Sequence, residues 1–181
     1  MALKATIYKA ELSIADMDRN YYETHQLTLA RHPSETDERM MVRLLAFARH
    51  ANDALAFGKG LSSEDEPDLW QKDLTGVIDV WIDVGQPDEK RIRRACGRAG
   101  QVVVYTYGGR GADLWWGQTA EKVERATNLT VVNLSRSSHS ATCNCSAAFR
   151  TRISGCPTRS VRSRSTPSSG ERRRPARRAL K

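Results

Sequence analysis

Three acidic residues around one predicted β-hairpin give the sequence its clearest chemical signal. Asp68 precedes a run of strand-forming residues, Asp83 lies near the end of the next run, and Glu66 stands just before both. A tight turn midway between the runs places Asp68 opposite Trp81 and Glu66 opposite Asp83, to within a residue. Carboxylates gathered in this way repel one another unless solvent screens them or a divalent cation such as Mg²⁺ neutralises them.

A further carboxylate, Glu38, is predicted to point toward a core. It precedes three apolar residues by three, four and seven positions, which places it on their face of a helix: Met41, Val42 and Leu45. The same helix would carry an outward i,i+4 ladder formed by Glu35, Arg39 and Arg43. A carboxylate on an apolar face is costly unless it is paired or bound to metal. The alternative is that Glu38 lies in the exposed first turn and only complements the helix dipole.

The elements that must position these residues can be predicted from periodicity and turn signals. We expect strands at 5–15, 21–30, 68–72, 76–85, 101–107 and 129–134, a short apolar run at 54–57, and helices at 34–53, 87–100 and 113–126. The first two strands form an antiparallel hairpin. Helices between the late strands imply parallel crossovers, so the predicted class is α/β, a mixed sheet flanked by helices and preceded by an N-terminal β-hairpin.

Length and charge separate this predicted fold from a C-terminal tail. The chain has 181 residues, enough for one domain and a short appendage. Residues 1–134 carry 17 basic and 20 acidic side chains, whereas residues 135–181 carry 12 and 1, so the net charges are −3 and +11. No segment has the roughly 18 consecutive apolar residues of a membrane helix. We therefore expect a soluble, cytoplasmic protein with no membrane partner.

The basic tail, residues 135–181, is rich in Ser and Arg and poor in large apolar residues. Such a composition buries too little surface to offset the entropy of ordering, so we expect disorder and no helix or strand. The sudden loss of acidic residues is also typical of a shifted reading frame in GC-rich DNA. A third interpretation is a polycation that binds phosphates.

Several longer motifs resemble the bacterial YaeQ family from residue 1 to about residue 134. The matching segments are Arg31–Thr36, Glu38–Met41, Asp65–Pro67, Ile78–Gly85 and Pro87–Glu89. This resemblance implies a variant of the PD-(D/E)xK restriction-endonuclease-like fold, whose core order α-β-β-β-α-β agrees with the elements predicted above. It implies no established activity, because the family is uncharacterised.

The resemblance to the superfamily assigns roles to individual residues. Asp68 and Asp83 look like its two metal-binding acids, and Glu38 looks like its helical acid. The superfamily's lysine is expected two residues after Asp83, where this chain has Gly85. Gln86 and Lys72 are the two candidates to replace that lysine. In the superfamily the lysine orients the attacking water and stabilises the transition state.

The chemistry implied is hydrolysis of phosphodiester bonds with Mg²⁺ or Mn²⁺. Four basic residues are candidates to contact the nucleic-acid backbone: Lys59, Arg91, Arg94 and Arg110. The leading hypothesis is a metal-dependent nuclease-like protein that acts on or binds nucleic acid. The missing lysine favours the alternative, a catalytically inactive nuclease-fold module that interacts with nucleic acid or protein. The sequence singles out no protein partner.

Overall fold

The structure is a computed structural model that describes residues 5–59, 61, 63, 65–134, 147–154 and 174–175. In chain order its elements are β1 (Thr6–Asp16), β2 (Tyr21–Arg31), α1 (Asp37–His50), β3 (Leu55–Phe57), β4 (Leu69–Lys72), β5 (Ile78–Val84), α2 (Glu89–Arg98), β6 (Ala99–Thr106), α3 (Arg110–Thr119), a 3-10 helix (Glu121–Val123), β7 (Leu129–Asn133), β8 (Ala147–Ser154) and β9 (Arg174–Pro175).

The described residues form two compact units. The first unit contains β1, β2, α1 and β8, and the second contains β3 to β7, α2, α3 and β9. The division follows Arg49, inside the stretch 1–134 that the sequence analysis treats as one domain. Within the described part of the chain, every helix is too short or too polar to cross a membrane.

The first unit is built on a long antiparallel hairpin. β1 pairs with β2 from Thr6↔Arg31 to Asp16↔Tyr21, and its inward positions alternate with exposed ones because successive side chains of a strand point to opposite faces. Leu12 and Leu29 are almost fully buried. The predicted N-terminal hairpin is therefore confirmed with nearly the predicted bounds.

A strand in the basic tail corrects the sequence analysis. β8 pairs antiparallel with β1, with Phe149 opposite Ile14 and Ile153 opposite Ala10. The expectation that residues 135–181 contain no strand is wrong. Phe149 and Ile153 do share the period of two that marks a strand, but low apolar content hides it. Most other residues of the tail lie outside the described residues.

The second unit contains a six-stranded sheet in the order β3-β4-β5-β6-β7-β9. β3, β4 and β5 are joined antiparallel, β5, β6 and β7 run parallel, and β9 is antiparallel to β7. The parallel pairs need crossovers, which α2 supplies between β5 and β6 and α3 supplies between β6 and β7. The predicted mixed α/β sheet is thus confirmed.

A single apolar cluster packs the crossover segments onto this sheet. It joins Trp81 and Val102 of neighbouring strands to Ile92 and Ala95 of α2, and Trp115 packs against its edge. α2 begins where predicted, because Asp88 is its N-cap and accepts a hydrogen bond from the Arg91 amide (3.0 Å). This packing fixes α2 against the end of β5.

Candidate functional site

Asp68 and Asp83 lie together at the end of the β4-β5 hairpin, and both are buried, with exposed fractions of 1% and 3%. The Asp68 amide donates to the Ile82 carbonyl (3.1 Å). The Val84 amide donates to Oδ2 of Asp68 (2.8 Å). These two hydrogen bonds tie Asp68 to β5 through both its backbone and its carboxylate.

The register of this hairpin differs slightly from the prediction. Trp81 pairs with Trp70, and not with Asp68, because the turn is centred one residue later than expected and a bulge follows at Gln71/Lys72. The pairing of Leu69 with Ile82 brings Asp68 level with Asp83, one position farther along. The two carboxylates are therefore closer neighbours than the sequence predicts.

Gly58 supports the segment that carries Asp68. Its amide donates to the Asp68 carbonyl (3.0 Å). A Cβ atom at this position would lie 2.1 Å from the Pro67 carbonyl oxygen, far inside van der Waals contact. The segment after β3 approaches Pro67 and Asp68 this closely only because residue 58 has no side chain.

Arg91 of α2 binds the carboxylate of Asp83 with two nitrogen atoms. Its Nε donates to Oδ2 (3.0 Å) and its Nη2 to Oδ1 (2.8 Å). Nη2 also donates to the Glu66 carbonyl (2.8 Å), and Trp81 Nε1 donates to Oδ2 of Asp83 (3.0 Å). Asp83 therefore accepts three hydrogen bonds, two of them from one guanidinium.

Arg91 neutralises one of the two buried carboxylates of this site. The hydrogen bonds to Asp83 raise the pKa of the Arg91 guanidinium, and although burial opposes this, the charges of Asp83, Asp68 and Asp88 add to it. Arg91 thus stays charged and forms a neutral pair with Asp83. Breaking a fully buried pair of this kind costs about 3–5 kcal/mol. The Arg91 side chain keeps 22% of its surface exposed, so the cost here is lower.

Glu66, the third acid of the predicted cluster, turns to a different partner. Its carboxylate forms an ion pair with Nζ of Lys59 (3.0 Å) and accepts a hydrogen bond from the Lys59 amide (3.3 Å). The hydrogen bond from Lys59 holds the pKa of Glu66 below its usual range, and the charge of Lys72 contributes less. Glu66 reaches Arg91 only through its backbone carbonyl.

The two candidates for the missing lysine lie in different places. Lys72 is at the far end of β4, where its Nζ is 3.4 Å from the centroid of the Trp70 ring. Gln86 is exposed, and its amide lies beside Gly111 of α3. Gly85 has a φ angle of 112°, which a residue with a side chain rarely adopts. A lysine at position 85 would therefore strain the backbone.

Glu38 lies on α1 in the first unit and is exposed, so the prediction that it faces a core is wrong. Met41, expected on the same buried face, is 42% exposed. The residues of the predicted outward ladder are instead turned inward. Glu35 and Arg43 are buried, and Glu35 accepts hydrogen bonds from Arg39 (2.9 Å) and Arg43 (3.1 Å). Apolar residues at most positions of α1 made its faces ambiguous, and charge pairing allows the ladder to be buried. The role of Glu38 at a metal site stays a prediction.

A depression of about 310 Å³ opens beside α2 and is lined by Asp88, Lys90, Arg91 and Arg94. Arg94 forms an ion pair with Asp65 (2.8 Å). Three of the four lining residues are basic, but Arg91 is paired with Asp83 and Arg94 with Asp65.

The site as it stands does not fit a divalent cation. Both oxygens of Asp83 are engaged by Arg91, whose positive charge already neutralises the carboxylate. Within the residues that the structure describes, no group of three His, Cys, Asp or Glu side chains is arranged to hold a metal ion. A cation that relies on Asp83 would have to displace the guanidinium.

Sequence reasoning named Arg91 only as a possible backbone contact and missed its pairing with Asp83. One signal was present in the sequence. Arg91 occupies the first turn of a helix, where a positive side chain opposes the helix dipole. An arginine at such a position is stabilised by a nearby carboxylate, and Asp83 lies one loop away.

The fold and site define a mixed α/β protein in which a buried carboxylate is paired with an arginine at the end of a strand. The model of the YaeQ protein family matches residues 1–152. The chain therefore belongs to the YaeQ family.

Relatives and solved structures agree with this assignment. The uncharacterized protein YaeQ of Escherichia coli (strain K12) is 51% identical over 131 residues, which cover 72% of each chain. Its counterpart from Salmonella typhi is 52% identical over 131 residues, with the same coverage. The crystal structure of YaeQ from Xanthomonas axonopodis pv. citri superposes with a TM-score of 0.69 at 59% identity, covering 72% of this chain and 74% of that one. The structure of YaeQ from Pseudomonas syringae gives 0.70 at 42% identity, covering 74% and 73%.

Proposed function

We propose that this chain is a nuclease-fold protein that binds nucleic acid through its phosphates and does not cleave it. The observation that carries the proposal is the pairing of Asp83 with Arg91, which occupies the carboxylate that a metal-dependent nuclease would use. The absence of a lysine at Gly85 supports the same conclusion. Membership of this chain in the PD-(D/E)xK superfamily is part of the proposal, and the resemblance of its motifs and of its element order supports it.

The binding surface of this proposal is one side of α2. Lys90, Arg94 and Arg98 are spaced at i, i+4 and i+8 and are exposed, so they form a ridge about 12 Å long. Among the described residues, Lys90 and Arg98 have no ion-pair partner. Duplex DNA presents a phosphate charge about every 3.4 Å along each strand, so the ridge is long enough to meet several phosphates.

A second candidate function is a nuclease that depends on Mg²⁺ or Mn²⁺. It is favoured by one observation, the burial of Asp68 and Asp83 side by side at the ends of adjacent strands. Two carboxylates in such proximity are costly unless a positive charge lies between them. Arg91 supplies that charge in this structure, which is why we place the nuclease second.

Binding to labelled single-stranded and duplex oligonucleotides, measured by fluorescence anisotropy over a range of salt concentrations, tests the proposal. Two phosphate contacts, from Lys90 and Arg98, contribute a slope of about −1.8 to the plot of log K against log[salt] for duplex DNA. The variant Lys90→Gln/Arg98→Gln should make the slope less negative by about 1.8. The matched control Lys9→Gln/Arg125→Gln removes two exposed charges elsewhere and should leave the slope nearly unchanged. The basic tail contributes equally to all variants and cancels in the comparison.

Equal slopes in the two variants would refute the ridge as the binding surface. A parallel assay with single-stranded, duplex and branched DNA and RNA in Mg²⁺ or Mn²⁺ separates the two candidate functions. We expect no cleavage. Cleavage that disappears in Asp83→Asn would establish the nuclease.

A further inference from the structure

The guanidinium of Arg91 stands among oxygen atoms of the kind that hard cations prefer. Its Nε and Nη2 contact both oxygens of Asp83, and Nη2 also contacts the Glu66 carbonyl. The carboxylate of Asp68 lies at the same end of β5, because its Oδ2 accepts a hydrogen bond from the Val84 amide (2.8 Å). Carboxylate and carbonyl oxygens in this combination are typical ligands of Mg²⁺ and Mn²⁺.

We propose that Arg91 is a built-in counter-ion that occupies the place of a divalent cation at Asp83, and that its removal creates a cation site. The planar fork of an arginine matches a carboxylate in two parallel hydrogen bonds, so it competes well for both oxygens. This inference does not depend on nucleic-acid binding, because it concerns only the contacts of Asp83.

The surroundings of Arg91 distinguish it from an arginine that is simply part of the core. It lies in the first turn of α2, where the helix dipole disfavours a positive charge, so the acids and not the helix hold it in place. Its side chain keeps 22% of its surface exposed and borders the depression beside α2. A small cation therefore has a path to Asp83 once the guanidinium is gone.

Titration with Mn²⁺, followed by calorimetry and by the electron paramagnetic resonance signal of free Mn²⁺, tests the inference on the full chain. Arg91→Met removes the charge and retains the apolar part of the side chain. We expect this variant to bind one Mn²⁺ at least tenfold more tightly than the unmodified protein. The matched control Arg91→Met/Asp83→Asn removes both charges and should lose the gained binding. Equal binding by the unmodified protein and by Arg91→Met would overturn the inference, and so would binding that survives in the double variant.

A second measurement needs no substitution at Arg91, and therefore remains informative if Arg91→Met does not fold. In the unmodified protein, the NMR signal of the Arg91 Nε–H reports its hydrogen bond to Asp83. We expect this signal to be unchanged when millimolar Mg²⁺ is added. A shift or loss of the signal that depends on Mg²⁺, and is abolished in Asp68→Asn, would show that a cation displaces the guanidinium and would overturn the inference. Neither measurement involves the ridge of Lys90 and Arg98, so nucleic-acid binding and the counter-ion role of Arg91 can fail separately, whereas the absence of cleavage shares the Asp83–Arg91 pairing with this inference.

Discussion

Each of the two units buries a carboxylate beside arginine. In the first unit both partners are buried, which we call a closed pair. In the second unit the arginine is partly exposed, which we call an open pair. Glu35 and Arg43 are both 3% exposed, and Arg39 adds a second guanidinium to the same carboxylate. Asp83 is equally buried, but its one arginine, Arg91, keeps 22% of its side chain exposed beside a basic depression.

This difference indicates which pair is closed off from solvent and which is accessible to it. A buried ion pair is weak evidence of net stabilisation, because desolvation offsets most of the attraction. The free-energy cost of removing one partner depends on the environment of the charge that remains. In the closed pair that charge has no access to water, whereas in the open pair the arginine can turn toward solvent or toward an anion.

The largest effect is expected from breaking the closed pair. Glu35→Gln leaves the buried Arg43 without its carboxylate and should lower the free energy of unfolding by about 3–5 kcal/mol. Asp83→Asn, the equivalent change in the open pair, should cost only about 1–3 kcal/mol because Arg91 retains access to water. Denaturation by urea, monitored by circular dichroism, measures both values.

The control for this prediction is the double variant Glu35→Gln/Arg43→Met, which removes both buried charges. It should regain part of the stability that the single substitution loses. If Asp83→Asn proves more damaging than Glu35→Gln, the distinction between a closed and an open pair is wrong.

Much of the fold could be predicted because periodicity and turn chemistry are local. The hairpin of β1 and β2, the position of β5 and the start of α2 at Asp88 all follow from short sequence patterns. β8 was missed because its pairing with β1 joins residues that are far apart in the sequence. A weak pattern becomes a strand there because an existing edge offers it hydrogen bonds.

The proximity of Asp68 and Asp83 could be predicted from the sequence, but their charged partner could not. The spacing of Asp68 and Asp83 identified two neighbouring acids, and the structure brings them together. Their electrostatic partner comes from α2, and the direction of a helical side chain depends on packing that the sequence does not specify. The same limit made the prediction for α1 wrong, because Glu38 in its first turn is exposed and Glu35, two residues before the helix, is buried.

A smaller effect is expected from substitution of Gly58, whose amide donates a hydrogen bond to the backbone carbonyl of Asp68, the neighbour of the open pair. Gly58→Ala places a Cβ atom against the Pro67 carbonyl and forces the segment of Asp68 to shift, at a cost of about 1–3 kcal/mol. Gly97→Ala is the matched control, because a Cβ atom at Gly97 meets nothing within 4 Å. A helical alanine there should stabilise the protein by up to about 1 kcal/mol. Equal loss of stability in the two variants, measured by thermal melts, would contradict the close approach at Gly58.

The smallest effect is expected from the pair of Asp16 and Arg19 at the loop of the first hairpin. The arginine of this pair is more exposed than Arg91. Burial tends to raise the pKa of Asp16, but hydrogen bonds from Arg19 outweigh it and hold the pKa below the usual 3.8. The carboxylate therefore stabilises the folded state above that pH, and its contribution is lost as the pH falls through the lowered value. Because Arg19 is 36% exposed, solvent screens the pair, and its contribution is at most about 1 kcal/mol.

Asp16→Asn should therefore lower the melting temperature slightly at pH 7, and the difference from the unmodified protein should shrink below pH 4 and in high salt. Asp18→Asn, two residues away, is the matched control, because Asp16 and not Asp18 accepts the amide hydrogen bonds of Asp18 and Arg19. A difference that persists at low pH would show that Asp16 acts through the geometry of the loop and not through its charge. The loss of stability on removing the acid of each of the three acid–arginine pairs would then depend on the hydrogen bonds of that acid and not on the exposure of the pair.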